Sequence, residues 1–382
     1  MTSGISRRAE NVPPFIVMDV VRATNEMEAR GEKVIHCEVG QPGTPAPRGA
    51  LEAAHAALER DRIGYVEALG IPALRERIAR HYADRYGIRL DPQRVVVTTG
   101  SSAGFLMAFL AAFDAGARVA MATPGYPPYR NILAALGLLP VDIVATETER
   151  YQPTVGGIAS AGSLSGLIVA SPSNPTGTMV SREEMADLAA TCRRRGTRLI
   201  SDEIYHGLTF ESRATSALEV TDDAIVINSF SKYFSMTGWR IGWMVVPPDL
   251  VRPVERLTQN LLISTPTLSQ FAAIAAFDCT EELEAHVRRY RANRDLLLEG
   301  LPKAGFDHLT RPTGAFYLYA DVAHLTNDSV EFCRRMLREA GVAATPGVDF
   351  DPQRGHRTLR FSFAGSTADM EEAVRRLVSW KR

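Results

Sequence analysis

Short apolar runs of strand length alternate with longer helical stretches between residues 48 and 285 of this chain. The runs at 95–98, 167–170 and 224–228 are rich in valine, isoleucine or both, which is typical of buried strands. Strands that alternate with helices form a parallel sheet with helices on both of its faces. The pattern therefore predicts an α/β fold whose core is a mostly parallel, doubly wound sheet.

The chain has 382 residues, and that length suggests about two to three domains. We predict a large domain over residues 48–285, where strands and helices alternate. Residues 286–382 carry two predicted strands with a helix between them, and we expect them to form a smaller α+β domain. The N-terminal segment, residues 1–47, is predicted to belong to that smaller domain.

The net charge and the lengths of the apolar runs indicate which classes of binding partner to expect. The chain carries 43 basic and 44 acidic residues, so its formal net charge is −1. A near-neutral charge gives no electrostatic reason to expect nucleic acid or an anionic membrane as partner. No apolar run approaches the roughly 18 to 20 residues of a membrane span, and no apolar core of a signal peptide follows the polar residues 1–10. We therefore expect neither a nucleic-acid nor a membrane partner.

The four cysteines, Cys37, Cys192, Cys279 and Cys333, are scattered without Cys-x-x-Cys spacing. The absence of that spacing argues against a metal site and against a disulfide framework. Reduced thiols are typical of cytosolic proteins. We expect no bound metal and a cytoplasmic location.

Lys232 stands in the turn after the strand predicted at 224–228. Open α/β sheets bind their ligands at this edge, beyond the carboxyl ends of the strands. The lysine amine can serve as a fixed cation, or as a nucleophile that forms an imine with a carbonyl cofactor. Ser229, Ser231 and Arg240 are close to it in sequence, and their hydroxyls and guanidinium are suited to binding a phosphate.

The segment around this lysine reads Ser-x-Ser-Lys, then five residues, then Gly-x-Arg-x-Gly. It resembles the pyridoxal-phosphate attachment site of the class I/II aminotransferases, which belong to the aspartate aminotransferase superfamily of fold type I. The resemblance covers the chain from about residue 35 to its end. It implies pyridoxal 5′-phosphate as cofactor, bound through Lys232. A solvated loop lysine is the alternative, and the further motifs argue against it.

The residues around Gly100 predict a second part of the cofactor site. A strand at 95–98 and a helix at 105–113 flank a small-residue turn, Gly-Ser-Ser-Ala-Gly. Backbone N–H groups at a helix N-terminus bind phosphate, and small side chains let the anion approach them. Many such turns bind nothing, but together with the resemblance we expect Ser101 and Ser102 to bind the cofactor.

Tyr65 matches the family's tyrosine that reaches across a dimer interface to the cofactor phosphate of the neighbouring subunit. The resemblance therefore implies a homodimer in which each subunit supplies this tyrosine to the other. A loop tyrosine taken alone would more often be a packing residue.

Four residues match the family's contacts to the cofactor ring. Tyr126 matches the side chain that stacks on the pyridine face, although it could otherwise pack a loop against the core. Asn174, in Asn-Pro-x-Gly, and Tyr205 match the groups that bind the phenolic oxygen. Asp202 matches the acid that pairs with the pyridine nitrogen, which keeps that nitrogen protonated so that the ring can take up electrons. The neighbouring Glu203 is expected to be structural.

Two positions match the family's contacts to the substrate carboxylate. Gly40 opens the turn Gly-Gln-Pro-Gly, and the family uses the backbone at this position. Arg360 lies in a strand predicted at 357–363 and matches the arginine that clamps the α-carboxylate bidentately. It could otherwise be a buried ion-pair partner. Asn174 is expected to contact the substrate as well. Asp351 replaces the glycine that usually follows in a further family motif, which leaves that loop's geometry open.

The resemblance implies a ping-pong transamination between an L-amino acid and a 2-oxo acid, in which Lys232 moves a proton from the substrate Cα. Two alternatives remain open at this point. A β-lyase or a cyclopropane-forming synthase of the same fold would share the cofactor residues. A non-catalytic effector domain of a transcription regulator would carry a DNA-binding domain ahead of the fold, and only about 35 residues stand there.

The predicted helix after Gly100 bears on the substrate. It carries Phe105, Leu106, Met107 and Phe109, and no cation for a distal carboxylate. We therefore expect a substrate with a neutral or aromatic side chain. A basic residue from another loop or from the partner subunit would reverse that expectation.

Overall fold

The computed structural model describes residues 4–381. Its strands are β1 (Ile35–His36), β2 (Val95–Thr98), β3 (Arg118–Thr123), β4 (Leu139–Val144), β5 (Gly166–Ala170), β6 (Arg198–Asp202), β7 (Ile225–Ser229), β8 (Gly242–Val245), β9 (His308–Thr310), β10 (Tyr317–Asp321), β11 (Val342–Ala343), β12 (Thr345–Pro346) and β13 (Thr358–Ser362). Its α-helices are α1 (Arg7–Glu10), α2 (Ile16–Ala29), α3 (Arg48–Arg60), α4 (Pro72–Tyr86), α5 (Gly100–Ala112), α6 (Pro127–Ala135), α7 (Val155–Ser160), α8 (Arg182–Arg195), α9 (Pro248–Leu261), α10 (Thr267–Ala276), α11 (Thr280–Lys303), α12 (Ser329–Arg335) and α13 (Thr367–Ser379).

Seven strands form one large sheet in the order β2-β8-β7-β6-β5-β3-β4. β3 pairs in parallel with β4 and β5, and β6 pairs in parallel with β5 and β7. Strand β8 runs antiparallel to both of its neighbours. Helix α6 connects β3 to β4 and helix α8 connects β5 to β6, as is usual for parallel crossovers, whereas the connection from β6 to β7 contains only a 3-10 turn. The prediction of an α/β fold with a mostly parallel sheet is confirmed.

Successive residues of the central strands face two separate apolar cores. Val96, Ile225 and Ile227 pack on one side of the sheet, whereas Val97 and Val226 pack on the other. A strand that is buried on both faces needs a continuous apolar run rather than an alternating one. This requirement explains why β2 and β7 read as unbroken β-branched stretches, and it makes the sheet a rigid base for the loops at its edge.

A smaller antiparallel sheet in the C-terminal part has the order β12-β13-β10-β9. Strand β1 pairs in parallel with β11, with Ile35 opposite Val342, so the N-terminal segment is joined to this part of the chain. Helix α11 runs across residue 285 without a break. The division of the chain into domains at residues 47 and 285 stays a prediction.

Several helix ends follow their sequence signals. Helix α4 begins at Pro72 and stops at Gly87, whose backbone is left-handed (φ 71°). Helix α8 begins with a capping box: the Ser181 hydroxyl accepts a hydrogen bond from the Glu184 N–H, and the Glu184 carboxylate accepts one from the Ser181 N–H. These local signals determine where α4 begins and ends and where α8 begins.

Two predicted boundaries are wrong. The helical pattern at 267–302 predicts one long helix, but the structure has two helices there, α10 and α11, separated by residues 277–279. Neither glycine nor proline marks this break, so the sequence gives no punctuation for it. The sequence at 239–246 predicts a strand over that whole range, but only 242–245 form β8, and a 3-10 turn occupies 237–239.

The turn predicted at 100–104 is the first turn of α5, so Ser101 and Ser102 are helical residues.

Within residues 4–381, no helix is long and apolar enough to cross a membrane. Within the same residues, histidine, cysteine and acidic side chains form no group of three or more that could hold a metal ion.

Candidate active site

The predicted site residues follow the strands of the large sheet at one edge. Strands β2, β3, β5, β6 and β7 run in the same direction, so their carboxyl ends share that edge. The residues at or just beyond those ends are Ser101, Tyr126, Asn174, Asp202 and Lys232. The topology therefore brings together side chains that are spread over more than a hundred positions of sequence.

Lys232 lies just beyond β7 and is partly buried. Its Nζ donates a 2.5 Å hydrogen bond to the carbonyl oxygen of Gly40 and lies 5.8 Å from the centre of the Tyr205 ring. Burial and then the charge of Arg360 lower the pKa of this lysine to about 8, although Asp202 acts in the opposite direction. An amine with such a pKa is a usable base and nucleophile near neutral pH.

The backbone of Gly40 lies against the hydroxyl of Tyr317, and a Cβ at this position would overlap that hydroxyl. The Tyr317 hydroxyl is in turn hydrogen-bonded to the Tyr205 hydroxyl at 2.7 Å. Glycine is therefore needed here if the Tyr317 hydroxyl is to lie against the residue whose carbonyl binds Lys232. Contact of this backbone with a substrate carboxylate stays a prediction.

Asp202 ends β6 and is only 3% exposed. Its Oδ1 accepts a 3.1 Å hydrogen bond from the Ile204 N–H, and its Oδ2 accepts one from the Tyr129 hydroxyl. Burial raises the pKa of this carboxyl to about 6, and the hydrogen bond from Tyr129 is the largest of the effects that oppose the rise. The site thus holds an enclosed acid whose charge depends on its donors.

Arg240 lies at the N-terminus of α5. Its backbone is left-handed (φ 51°), and its Nη1 donates a 3.1 Å hydrogen bond to the Thr237 carbonyl. A Cβ at Gly100 would overlap the guanidinium, so the glycine lets the arginine lie directly on the first turn of the helix. A guanidinium beside a helix N-terminus favours an anion. Ser101 and Ser102 stand in that same first turn, partly exposed and exposed respectively.

Ser229 and Ser231 are both buried beside the lysine. The Ser229 hydroxyl donates a 2.9 Å hydrogen bond to the Ser231 hydroxyl, and the Ser231 N–H donates one of 3.1 Å to the Ser229 hydroxyl. The two serines therefore brace the turn that carries Lys232. Their contact with a phosphate stays a prediction.

Arg360 projects from β13 and is 2% exposed. Its guanidinium donates to three neutral oxygens: Oδ1 of Asn174 at 2.9 Å, Oγ1 of Thr345 at 3.1 Å, and the carbonyl of Glu38. These bonds hold the planar fork in one orientation at the junction of the two sheets.

The same guanidinium lies over two aromatic rings, 4.3 Å from the centre of Tyr317 and 4.8 Å from the centre of Phe350. Its Nε has no hydrogen-bond partner, and no carboxylate within residues 4–381 forms an ion pair with Arg360. A buried cation without an anion is costly. The sequence left two roles open for Arg360, a clamp for a carboxylate and a buried ion-pair partner. In the described part of the chain, the structure shows no such ion pair, and the arrangement is suited to an anionic ligand.

Tyr126 caps the N-terminus of α6, and the N-terminal segment reaches it. The Tyr126 ring meets the ring of Tyr129 edge-on at 5.3 Å and that of Phe15 at 6.0 Å. Asp349 accepts two 3.2 Å hydrogen bonds from the first N–H groups of α2. The start of α2 is thus anchored beside the site.

Asp351, where the family usually has glycine, is buried and orders its own loop. It accepts hydrogen bonds from the N–H groups of Gln353 and Arg354, both at 3.0 Å, and from Nε of Arg354 at 2.7 Å. The Arg354 guanidinium then donates to the carbonyls of Thr123 and Ala145. The acid therefore fixes this loop to the ends of β3 and β4.

Glu203, beside the candidate acid, is fully buried in a structural network. Its Oε1 accepts hydrogen bonds from the hydroxyls of Ser201 and Ser216 and from the Ala217 N–H. Its Oε2 has no donor and lies 3.5 Å from Nδ1 of His206. Burial raises the pKa of this carboxyl to about 8. None of these contacts involves Lys232, which supports a structural role for Glu203.

Tyr65 does not join the site of its own chain. Its side chain is 83% exposed, on the loop before α4. The Thr267 hydroxyl donates a 2.6 Å hydrogen bond to the carbonyl of the preceding Gly64, which ties this loop to α10. Its contact with a neighbouring subunit stays a prediction.

Sequence reasoning missed three contacts to the site. Tyr129 follows Tyr126 by three positions in α6, and that helical spacing could have placed the two rings side by side. Glu38 contributes a backbone oxygen to Arg360, which no residue type signals. Thr345 contributes a hydroxyl from a two-residue strand that is too short to recognise.

The chain matches the family model described as aminotransferase class I and II over residues 32–377. A valine–pyruvate aminotransferase of Mycobacterium tuberculosis is 50% identical over 385 residues, which cover 100% of this chain and 99% of that protein. The crystal structure of an aminotransferase from Mycobacterium tuberculosis superposes with a TM-score of 0.97 at 49% identity, over 99% of both chains. An aspartate aminotransferase from Thermus thermophilus with maleate gives a TM-score of 0.94 at 30% identity, over 99% of this chain and 100% of that one.

The chain belongs to the aminotransferase class I and II family. It is an enzyme, an aminotransferase of the aspartate aminotransferase superfamily with the fold of fold type I. Members of this family depend on pyridoxal 5′-phosphate. The predictions of family, fold type and transamination are therefore confirmed, and the non-catalytic alternative is excluded.

Proposed function

We propose that the edge of the large sheet binds pyridoxal 5′-phosphate and that the enzyme exchanges amino groups between a neutral L-amino acid and a 2-oxo acid by a ping-pong mechanism. The observation that carries the proposal is the pair formed by Arg360 and Lys232. A buried guanidinium without an acidic partner lies near a lysine whose pKa its charge helps to lower. A substrate α-carboxylate supplies the missing negative charge.

The residues present fit this cofactor. Arg240 on the N-terminus of α5 provides a cationic, donor-rich cradle for the phosphate, and Gly100 leaves the room for it. Asp202 provides the enclosed acid for the pyridine nitrogen, and Lys232 provides the amine for the carbonyl. The further cofactor contacts that we propose are Tyr126 at the ring face, Asn174 and Tyr205 at the phenolic oxygen, and Ser101, Ser102, Ser229 and Ser231 at the phosphate.

When bound, the cofactor supplies a carbon that takes up the amino group and a ring that accepts electrons from the substrate Cα. Lys232 Nζ would hold the cofactor through its carbonyl carbon and, once the substrate amine has displaced it, would take up the proton that leaves the substrate Cα. Asp202 keeps the ring nitrogen protonated. Arg360 and Asn174 orient the α-carboxylate, with the Gly40 backbone beside them. One site serves both half-reactions, so the amino acid and the oxo acid bind in turn.

The expectation of a neutral or aromatic substrate rested on apolar residues of α5, but the packing of these residues gives no information on the substrate. Phe105, Met107 and Phe109 are buried in the core on one face of the sheet, and the partly buried Leu106 packs against the same core. The charges near the site are more informative. Arg130 is ion-paired with Asp142 at 2.5 Å, and Arg354 with Asp351 at 2.7 Å.

These arginines are therefore satisfied and give a distal carboxylate no free cation. The relative that is 50% identical is named for valine and pyruvate. On both grounds we propose a neutral, aliphatic amino acid such as valine as donor and pyruvate as acceptor.

The proposal includes a homodimer. Large apolar side chains are exposed on two adjacent loops, with Ile63 and Tyr65 on one and Leu261 and Ile263 at the other. Thr267 bridges those loops through the Gly64 carbonyl. Exposed apolar side chains on neighbouring loops favour a protein contact there. In the dimer, Tyr65 binds the cofactor phosphate of the neighbouring subunit.

We also place the enzyme in the cytoplasm. Cys37, Cys192, Cys279 and Cys333 are all unpaired thiols, three of them buried. Unpaired cysteines are usual in a reducing compartment.

Initial-rate kinetics test the proposed reaction. We expect pyruvate with L-valine to give parallel lines in double-reciprocal plots, since each product leaves before the second substrate binds. L-Aspartate should be a poor donor. Intersecting lines would contradict the ping-pong mechanism, and a strong preference for aspartate would contradict the substrate assignment.

A further inference from the structure

The hydroxyl of Tyr129 and the carboxylate of Asp202 form a hydrogen bond between two enclosed side chains. Each residue is 3% exposed, and they are 73 positions apart in sequence. Tyr129 lies in α6, whereas Asp202 ends β6. The reaction proposed above uses the acid but assigns no part to the tyrosine.

Two neighbouring rings fix the ring of Tyr129. Its centre lies 5.0 Å from that of Phe105 in α5 and 5.3 Å from that of Tyr126. A closely packed aromatic side chain has few alternative rotamers. The packing of Phe105 and Tyr126 against this ring therefore holds the Tyr129 hydroxyl at the Asp202 carboxylate.

The hydrogen bond has an electrostatic consequence. An enclosed carboxylate tends to take up a proton, and only donors or cations keep it charged. Asp202 has two protein donors, the Tyr129 hydroxyl and the Ile204 N–H, one on each oxygen. Each oxygen can accept a second bond. Burial also raises the pKa of Tyr129 well above its ordinary value, so the hydroxyl keeps its proton and remains a donor.

We propose that Tyr129 is a positioning residue for Asp202: its hydroxyl keeps the Asp202 carboxylate charged and oriented toward the cofactor's ring nitrogen. The inference rests on the proposed function, because it assigns to Tyr129 the support of the acid that pairs with that nitrogen. The residue acts through Asp202 and has no contact of its own with the reacting atoms.

Tyr129→Phe removes the hydroxyl and keeps the ring that packs against Phe105 and Tyr126. The apoenzyme is titrated with pyridoxal phosphate to give a dissociation constant, and the bound cofactor, labelled with ¹⁵N in its ring, is examined by NMR. We expect the dissociation constant to rise about tenfold, because a hydrogen bond to a charged group is lost. We also expect the ¹⁵N resonance to move toward that of unprotonated pyridine, and kcat to fall more than KM rises. An unchanged dissociation constant and resonance would overturn the proposal.

Tyr82→Phe is the matched control. Tyr82 is fully buried in α4, and its hydroxyl accepts a 3.3 Å hydrogen bond from Nε1 of Trp243, away from the site. We expect this variant to lose stability without any change in the ¹⁵N resonance. A change as large as that in Tyr129→Phe would show that the effect is a general consequence of losing a buried hydroxyl and would overturn the proposal.

A double-mutant cycle with Asp202→Asn tests whether the tyrosine acts through the acid. We expect Tyr129→Phe to add no loss of cofactor affinity once Asp202 is asparagine. Additive losses would overturn the inference and leave the proposed function standing. A wild-type enzyme that bound no pyridoxal phosphate at Lys232 would overturn the proposed function itself, so the two failures are distinguishable.

Discussion

Nη1 of Arg360 donates a 2.9 Å hydrogen bond to Oδ1 of Asn174, across 186 positions of sequence. The arginine belongs to the small antiparallel sheet, whereas the asparagine follows β5 of the large sheet. The proposed carboxylate site therefore lies where the two sheets meet. Its geometry depends on how they pack, and not on either one alone.

Arg360→Lys keeps the positive charge but removes the planar fork. We expect KM to rise about tenfold to a hundredfold for both the amino acid and the oxo acid, because one or two charge-assisted hydrogen bonds are lost. Cofactor affinity should stay the same. Steady-state kinetics with each substrate check this.

The matched control for that variant is Arg294→Lys. Arg294 is also 2% exposed and lies over an aromatic ring, 4.6 Å from the centre of Phe210, but it is ion-paired with Glu211. We expect its replacement to lower stability and to leave both KM values unchanged. If the two variants raise KM equally, Arg360 has no special role at the substrate.

Gly100→Ala tests the cradle proposed for the phosphate. The new Cβ would overlap the Arg240 guanidinium, and the backbone there is left-handed (φ 71°). We expect a loss of about 1–2 kcal/mol in stability from the backbone strain. We also expect affinity for pyridoxal phosphate to fall at least tenfold, because the displaced arginine loses a charge-assisted hydrogen bond. Thermal unfolding and cofactor titration measure the two effects separately.

Gly87→Ala isolates the strain. Gly87 has the same φ of 71°, but nothing lies within 4 Å of the position its Cβ would take. Its replacement should lower stability by a similar amount without changing cofactor affinity. Equal cofactor affinity in the two variants would contradict the proposed phosphate site.

The amine of Lys232 should titrate far below an ordinary lysine in the cofactor-free enzyme. Burial and the charge of Arg360 lower its pKa to about 8, so the unprotonated, nucleophilic amine should form around that pH. Acetylation rates at this residue, followed by mass spectrometry against pH, give the midpoint. The same lysine in the urea-unfolded protein is the control, with an expected midpoint of about 10.4. A midpoint that is the same in both states would show that the site does not perturb the amine.

Glu203 should make stability depend on pH. The folded protein keeps the Glu203 proton up to about pH 8, whereas the unfolded chain releases it near the ordinary pKa of 4.5. Between these values the folded state binds more protons, so the free energy of unfolding falls as pH rises. The contribution approaches about 1.4 kcal/mol per pH unit.

Glu203→Gln removes this titration. In urea unfolding of the cofactor-free protein at pH 5, 6.5 and 8, we expect a flatter pH profile than that of the wild type. The variant should gain stability relative to the wild type as pH rises, since the amide ionises in neither state, whereas unfolding of the wild type releases the Glu203 proton. Parallel profiles for the two proteins would show that this carboxyl does not titrate in that range.

The placement of most candidate residues could be predicted because each one directly follows a recognisable strand. Lys232 and Asp202 come after unbroken apolar runs, and a parallel sheet aligns the carboxyl ends of such runs. The family resemblance added the roles of Tyr126 and Asn174, which periodicity alone does not give. Those roles remain proposals, whereas the shared edge is a property of the fold.

The contacts that could not be predicted depend on tertiary geometry. The Glu38 carbonyl contacts Arg360, and every residue has a carbonyl, so no sequence pattern marks it. The left-handed backbone of Arg240 is set by how its turn meets α5, since arginine has no preference for that conformation. The hydrogen bond from Tyr129 to Asp202 joins two segments that only the folded sheet brings together.

The absorbance spectrum of the holoenzyme, recorded before and after adding L-valine without any oxo acid, tests the central claim most directly. We predict a visible band of the lysine-bound cofactor that is replaced by the band of the aminated cofactor, and that returns when pyruvate is added. Lys232→Ala should show neither band change nor turnover while keeping its fold by circular dichroism. A wild-type spectrum without the band, even after pyridoxal phosphate is supplied, would contradict the account.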